Sequence, residues 1–225
     1  MRHKERARYE NILFLDCDSE VRHDDFLKRY IERSKKSAVI YGGRKFDMMR
    51  PEQAAYMLHW LYSTKAEWVD ARIREANPIR YFKTNNFLIK KELFSRICFN
   101  EELKDYGHED TLFGYELLRK NIVIDHSDNP VYHTGIKSTG DFLKNTREGF
   151  INLKHILASG LFDSRGMDIM GLAHVHRQTE NRLFLKAMTL FFALFEKAMR
   201  KNLHSEKPSL FVFSLYKLGF FCSLY

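Results

Sequence analysis

The run Asn11-Ile-Leu-Phe-Leu15 ends abruptly in Asp16-Cys17-Asp18. A short, continuous apolar run bounded by charge reads as a buried strand, and the expected pairing is parallel. Carboxylates just past the C-terminal end of such a strand lie where open α/β sheets hold ligands. Asp16 and Asp18 stand two apart, so in a turn both can approach one divalent cation or one ligand. Hard oxygen donors suit Mg²⁺ or Mn²⁺. The same residues also make an ordinary acidic turn, and a lone Asp-x-Asp does not separate the two.

A second acidic feature lies in Lys104-Asp-Tyr-Gly-His-Glu-Asp-Thr-Leu-Phe-Gly-Tyr-Glu-Leu-Leu-Arg-Lys120. Gly107 supplies a turn, and His108, Glu109 and Asp110 fall at a helix start. Asp110, Phe113 and Leu117 then share one face, and Gly114 beside it allows close packing. Paired carboxylates at a helix N-terminus are favoured by the unpaired N–H groups and the macrodipole. They either satisfy the helix end alone or offer a base to a ligand.

Between and beyond these features the pattern alternates short apolar runs with helical periods. Asp24 or Asp25 can cap a helix over Phe26 to Ser34. Ala38 to Tyr41 reads as a strand, followed by Gly42-Gly43-Arg44. The paired glycines serve either a turn or the close approach of a ligand, and Arg44 can meet a phosphate. Pro51-Glu52 opens a helix to about Leu61, and Asn77-Pro78 breaks the next one. Thr84 to Ile89 is a strand with two amides, Asn85 and Asn86, at its entrance. Amides suit hydroxyl or nucleobase recognition, or a capped turn. A short helix follows over Lys90 to Ser95, then a strand over Asn121 to Asp125. Asn129-Pro-Val-Tyr-His-Thr-Gly135 reads as an edge strand or extended loop, with Pro at its start and His133 near its end. His133 matters chiefly as a third ligand beside Asp16 and Asp18.

Asp141 or Thr139 can cap a helix over Phe142 to Ala158, stopped by Gly160. His174 and His176 have no evident third ligand nearby. An amphipathic helix spans Thr179 to Asn202, with Lys197, Arg200 and Lys201 crowding its end. Ser209 to Tyr225 is apolar and aromatic. It either lies in a membrane interface, packs on the preceding helix, or joins an oligomer.

The totals narrow the partner. The 225 residues, 44% of them hydrophobic, suffice for one domain with an appendage. The formal charge of +8 suits an anionic partner: nucleic acid, a phosphorylated small molecule or an acidic membrane surface. Three scattered cysteines, Cys17, Cys98 and Cys222, fit reduced thiols in the cytoplasm. No Cys/His metal spacing, P-loop, helix-turn-helix or RNP signature occurs, so no nucleic acid is expected.

Taken in order, Asn11-Ile-Leu-Phe-Leu-Asp-Cys-Asp18, Tyr41-Gly-Gly-Arg44, Thr84-Asn-Asn-Phe-Leu-Ile89, Tyr106-Gly-His-Glu-Asp-Thr-Leu-Phe-Gly-Tyr-Glu-Leu118 and Asn129-Pro-Val-Tyr-His133 resemble the second half of a bacterial family 2 glycosyltransferase of the GT-A fold, over roughly residues 9–160. The resemblance implies an α/β, Rossmann-like GT-A core over residues 1–160, with a helical C-terminal extension over 161–225. Asp16 and Arg44 would face the donor nucleotide, and Asp18 would bind Mn²⁺ or Mg²⁺ with Asp16 and His133. Glu109 and Asp110 match the acidic pair at the acceptor site, with Asp110 as general base, and Asn85, Asn86, Gly107 and His108 would line that side. The donor would be a nucleotide-sugar, a UDP-sugar first among them. The acceptor would be a saccharide or lipid-linked hydroxyl in surface polysaccharide or glycolipid synthesis. The chain would work at the inner face of the cytoplasmic membrane, with peripheral contact through residues 181–225. The family's opening β-α-β unit, which holds the nucleoside, has no counterpart among these motifs. The fold is therefore expected to be incomplete at its N-terminus, and a truncated non-catalytic remnant or a basic anion- or nucleic-acid-binding protein are the alternatives.

Overall fold

The computed structural model describes residues 7–97, 99, 107–169 and 180–225. Cys98, Tyr106 and its acidic-motif neighbours Lys104 and Asp105, the His174 and His176 pair, and Thr179 lie outside the described residues. In chain order the elements begin with β1 (Asn11–Leu15), β2 (Ser19–Glu20), α1 (Phe26–Ser34), β3 (Val39–Tyr41), β4 (Arg44–Phe46), α2 (Met57–Tyr62), α3 (Ala71–Ala76) and β5 (Asn86–Lys90). They continue with α4 (Lys91–Arg96), α5 (Glu109–Arg119), β6 (Ile124–His126), β7 (Val131–His133), α6 (Thr139–Ala158), α7 (Ser164–Ile169), α8 (Arg182–Leu203) and α9 (Leu210–Cys222). The class is mixed α/β.

The chain divides into two compact units. One comprises Met1–Asp47, Trp68–Glu102 and Glu109–Gly135, the other Met48–Glu67, Leu103–His108 and Ile136–Tyr225. The division differs from the expected boundary at residue 160, because α6 clusters with the C-terminal helices.

The first unit holds both sheets. The larger has the order β1-β5-β3-β6; β5 pairs antiparallel with β1 and β3, and β3 pairs parallel with β6. The expected parallel pairing of Asn11–Leu15 is therefore wrong: β1 is an antiparallel edge strand. Nor is it fully buried: its residues are half-buried except Leu15, which is exposed, so the apolar run reports contacts on both faces, not a direction. On one face Phe14 stacks on Phe87 and joins Phe82, Phe94, Phe99 and Phe113. On the other, Leu13, Ile40 and Leu88 pack with Phe26, Tyr30 and Val131. The smaller sheet has the order β2-β7-β4, so β7 is central and not the expected edge. Pro130 precedes the strand and costs it no ladder hydrogen bond.

Local corrections have local causes. The strand expected over Asn121 to Asp125 begins only at Ile124, because Asn121, at φ 53°, turns the chain out of α5. The helix expected from Pro51 begins as a 3₁₀ turn at Ala54–Tyr56 and continues into α2 and a π turn at Ser63–Glu67. Gly114 is not demanded by packing, since an added Cβ would meet Phe82 and Ile79 at ordinary contact distances of 3.6 and 3.7 Å.

The second unit is helical. Ser138, not Thr139 or Asp141, caps α6: its hydroxyl accepts from Asp141 N at 3.2 Å and donates to Asp141 Oδ2 at 2.7 Å. Phe192, Met199 and Leu203 of α8 share a core with Phe213 and Tyr216 of α9, Leu143 of α6 and Leu58 of α2. Arg147 donates to the Tyr216 hydroxyl at 2.7 Å and ion-pairs with Glu196, tying α6 to both α9 and α8. Gly219 lets α8 and α9 touch, since a Cβ there would stand 2.9 Å from Phe192 Cβ. Of the three destinations open to the apolar C-terminal segment, packing on the preceding helix is observed. No described helix is long and apolar enough to cross a membrane.

Candidate functional site

The β1–β5 ladder runs one residue past the strand, with Asp16 N donating to Asn85 O at 3.1 Å. Ser19 N then donates to Asp16 O at 3.1 Å, closing a four-residue turn that carries Asp16, Cys17 and Asp18 at the sheet end. The chain enters β2 with Ser19 opposite His133, and Thr134 N donates to Asp18 O at 2.9 Å. This register brings Asp18 Oδ1 to 3.1 Å from His133 Nδ1. Asp18 Oδ1 is buried and, apart from this ion-pair contact, makes no hydrogen bond. Gly135 makes room for the carboxylate: a Cβ there would stand 2.5 Å from Asp18 Oδ2.

Asp16 is exposed on the same turn. Its carboxyl is pushed above the ordinary range, first by partial desolvation and then by the Asp18 charge, against the pull of Arg44 and His133. Asp110 also raises it, which puts the strand end and the start of α5 in one electrostatic neighbourhood.

Among the described residues no three His, Cys, Asp or Glu side chains form a ready cage for a cation. Asp16, Asp18 and His133 are thus not a closed ligand set. The donors fit a cation of the Mg²⁺ or Mn²⁺ type all the same. Such ions are held by one or two carboxylates and complete their shell with water and phosphate oxygens. The buried Asp18 oxygen, which no hydrogen bond satisfies, is the observation behind that fit.

Arg44 opens β4, directly after Gly42-Gly43, and lies 4.9 Å over the Phe46 ring. The space at both glycines is filled by protein groups, which favours the turn over the close approach of a ligand. Gly43 sits at φ +91°, and a Cβ would meet the Arg74 guanidinium at 2.6 Å; one on Gly42 would meet Asn129 O at 2.4 Å. Arg74 is buried and donates to Ser127 O at 3.0 Å, with its guanidinium 4.9 Å over the Tyr41 ring. Beside it His126 Nε2 is 2.9 Å from Pro78 O, and Nδ1 is 3.4 Å from Arg74. Burial holds the imidazole down at about 4. The neutral tautomer with hydrogen on Nε2 satisfies both neighbours.

Asn86, expected at the acceptor side, is fully buried. Its amide donates to Gly43 O at 2.8 Å and Asn129 O at 2.9 Å, and its oxygen accepts from the Tyr30 hydroxyl at 2.7 Å. These internal bonds make it the fastener of the glycine turn, which corrects the acceptor assignment. Asn85 is also buried, and its Oδ1 accepts from the Tyr41 hydroxyl at 3.3 Å.

At the start of α5, Glu109 is exposed while Asp110 turns inward, its Oδ2 2.8 Å from Lys83 Nζ. The Asp110 charge, above all, holds the Lys83 ammonium above its ordinary range. Gly107 and His108 both adopt left-handed backbone, at φ 97° and 69°, and belong to the helical unit. There Gly107 O accepts from Asn152 Nδ2 at 2.5 Å.

The structure thus gathers Asp16, Asp18, His133, Arg44 and Asp110 in the sheet-bearing unit. It adds Lys83 and Gly135, which the sequence reading did not single out. Lys83 sits one residue before Thr84-Asn85-Asn86, but nothing in its own segment indicates that Asp110 lies opposite. Neither a comparison with protein-family models nor one with curated proteins returns a match.

Proposed function

We propose that the chain is a nucleotide-sugar-dependent glycosyltransferase of GT-A type, transferring a sugar to an acceptor hydroxyl with inversion. The observation that carries this reading is the pairing of two acidic stations within one unit. The strand-end station sets Asp18 and Asp16 beside His133, with a buried Asp18 oxygen that makes no hydrogen bond beyond its ion-pair contact with His133. The helix-start station, Asp110, comes with Lys83 already attached.

Asp18 and His133 would hold the Mg²⁺ or Mn²⁺, with Asp16 beside them. When bound, that cation supplies positive charge to a diphosphate leaving group. Arg44 adds a fixed positive charge on the same side. Asp110 stands as general base, taking the proton of the acceptor hydroxyl while the acceptor oxygen bonds to the anomeric carbon and the bond to the diphosphate breaks. Lys83 fixes the orientation of that carboxylate. The basic overall charge suits an anionic donor. The acceptor class that fits is a saccharide or lipid-linked hydroxyl, as in surface polysaccharide or glycolipid assembly.

Release of nucleoside diphosphate from a panel of nucleotide-sugars, with and without Mn²⁺ and a mixed saccharide acceptor pool, tests the reading. Metal-dependent release by the full chain, lost in Asp110→Asn, is the expected result. Release that ignores both the metal and Asp110 would overturn it.

A further inference from the structure

A surface helix ordinarily turns its apolar stripe to the core and charge to water. In α8, Leu185, Phe192, Met199 and Leu203 are buried. The opposite side is also apolar. Leu183, Leu190 and Leu194 are 79%, 62% and 68% exposed, at spacings of seven and four that align them in one row with exposed Ala187. Lys186, Lys197 and Lys201, all exposed, continue the row at helical spacing, and Arg182 and Arg200 lie exposed on the same helix. Its one carboxylate, Glu196, is engaged by Arg147 and lies 3.9 Å from Arg200.

We infer that this outer row of α8 is a docking surface for an anionic lipid bilayer. The leucines form one exposed row along the helix, an arrangement that suits a planar surface. The lysines have long apolar stems, which let the leucines sink while the ammonium groups reach lipid phosphates. A second copy of the chain fits poorly. Two such rows placed face to face, parallel or antiparallel, set cation against cation. The apolar α9 segment is largely spent inside the unit through Phe213, Tyr216 and Phe221, and leaves Phe211 exposed. The inference stands apart from the sugar-transfer reading, since it needs neither the cation nor the donor.

Co-sedimentation of the full chain with phosphatidylcholine vesicles, and with vesicles carrying one-third phosphatidylglycerol, tests it. Binding is expected to the anionic vesicles and to weaken at high salt. The triple variant Leu183→Gln, Leu190→Gln, Leu194→Gln changes only exposed positions and should lower the partition by more than about tenfold at an unchanged melting temperature. A second variant, Lys186→Glu, Lys197→Glu, Lys201→Glu, should abolish the preference for anionic vesicles. No vesicle binding by the wild type, or binding that survives both variants, overturns the inference. So does a wild-type dimer in sedimentation velocity that the leucine variant dissociates, because the row would then serve self-association. Capture by a polyanionic peptide without any vesicle binding counts against a lipid surface in the same way.

Discussion

The two carboxylate stations of the sheet-bearing unit are built differently. At the strand end, partial desolvation and then the Asp18 charge raise Asp16, and a buried Asp18 oxygen makes no hydrogen bond beyond its ion-pair contact with His133. At the helix start, Asp110 is neutralised from within by Lys83 at 2.8 Å. A site that crowds two acidic groups beside a histidine and supplies a third with its own lysine suits two tasks. The first station suits an added cation, as the proposed function requires, and the second holds a carboxylate against Lys83. That contrast, more than either pair alone, supports the reading of donor binding at one and proton acceptance at the other.

The largest effect should come from Asp110→Asn. Transfer should fall by about 10²–10⁴-fold, the usual worth of a general base, while metal-dependent nucleotide binding measured by calorimetry stays unchanged. Equal loss of both would erase the difference between the stations.

The scaffold beneath them should respond to pH through His126, away from both stations. Its folded value of about 4 lies below the ordinary 6.5. Between those values the unfolded chain binds more protons, so stability is complete above pH 6.5 and is lost as pH falls toward 4. The loss should reach about 3 kcal/mol, read from urea midpoints across that range. A flat profile would mean that His126 is not buried as described.

Gly43→Ala probes the turn that leads into Arg44. The residue is held at φ +91° against the Arg74 guanidinium, so a methyl group should cost about 1–3 kcal/mol, visible as a lower melting temperature. The smallest stability effect is expected for Lys83→Met. The Lys83 side chain is 45% exposed, so the change should stay within about 1 kcal/mol, yet transfer should slow with donor affinity kept. A large stability loss would recast the pair as structural.

Much of this was legible in the sequence. The Asp16-Cys17-Asp18 turn, the stretch that became β5, the inward Phe113 and Leu117, and the stop at Gly160 all follow from local pattern. The direction of β1 was not legible, since contacts on both faces produce an apolar run whether neighbours are parallel or antiparallel. Neither was the place of β7 at the centre of its sheet, which depends on two short partners distant in the chain. Asn86 looked like a ligand group because an amide at a strand entrance has the same local pattern whether it faces solvent or fastens a turn. Lys83 and Gly135 matter only through residues far along the chain, Asp110 and Asp18, and no local period encodes such a meeting.

The most direct measurement is calorimetric titration of the full chain with UDP, GDP, CDP and dTDP, each with Mn²⁺ and with EDTA, alongside Asp18→Asn. The account predicts that at least one diphosphate binds only with Mn²⁺, and that Asp18→Asn weakens this binding by more than about 100-fold, beyond the cost of disturbing a ligand's supporting groups. Binding that is equal in EDTA, or Mn²⁺-dependent binding that Asp18→Asn leaves intact, would contradict the cation station and the function built on it.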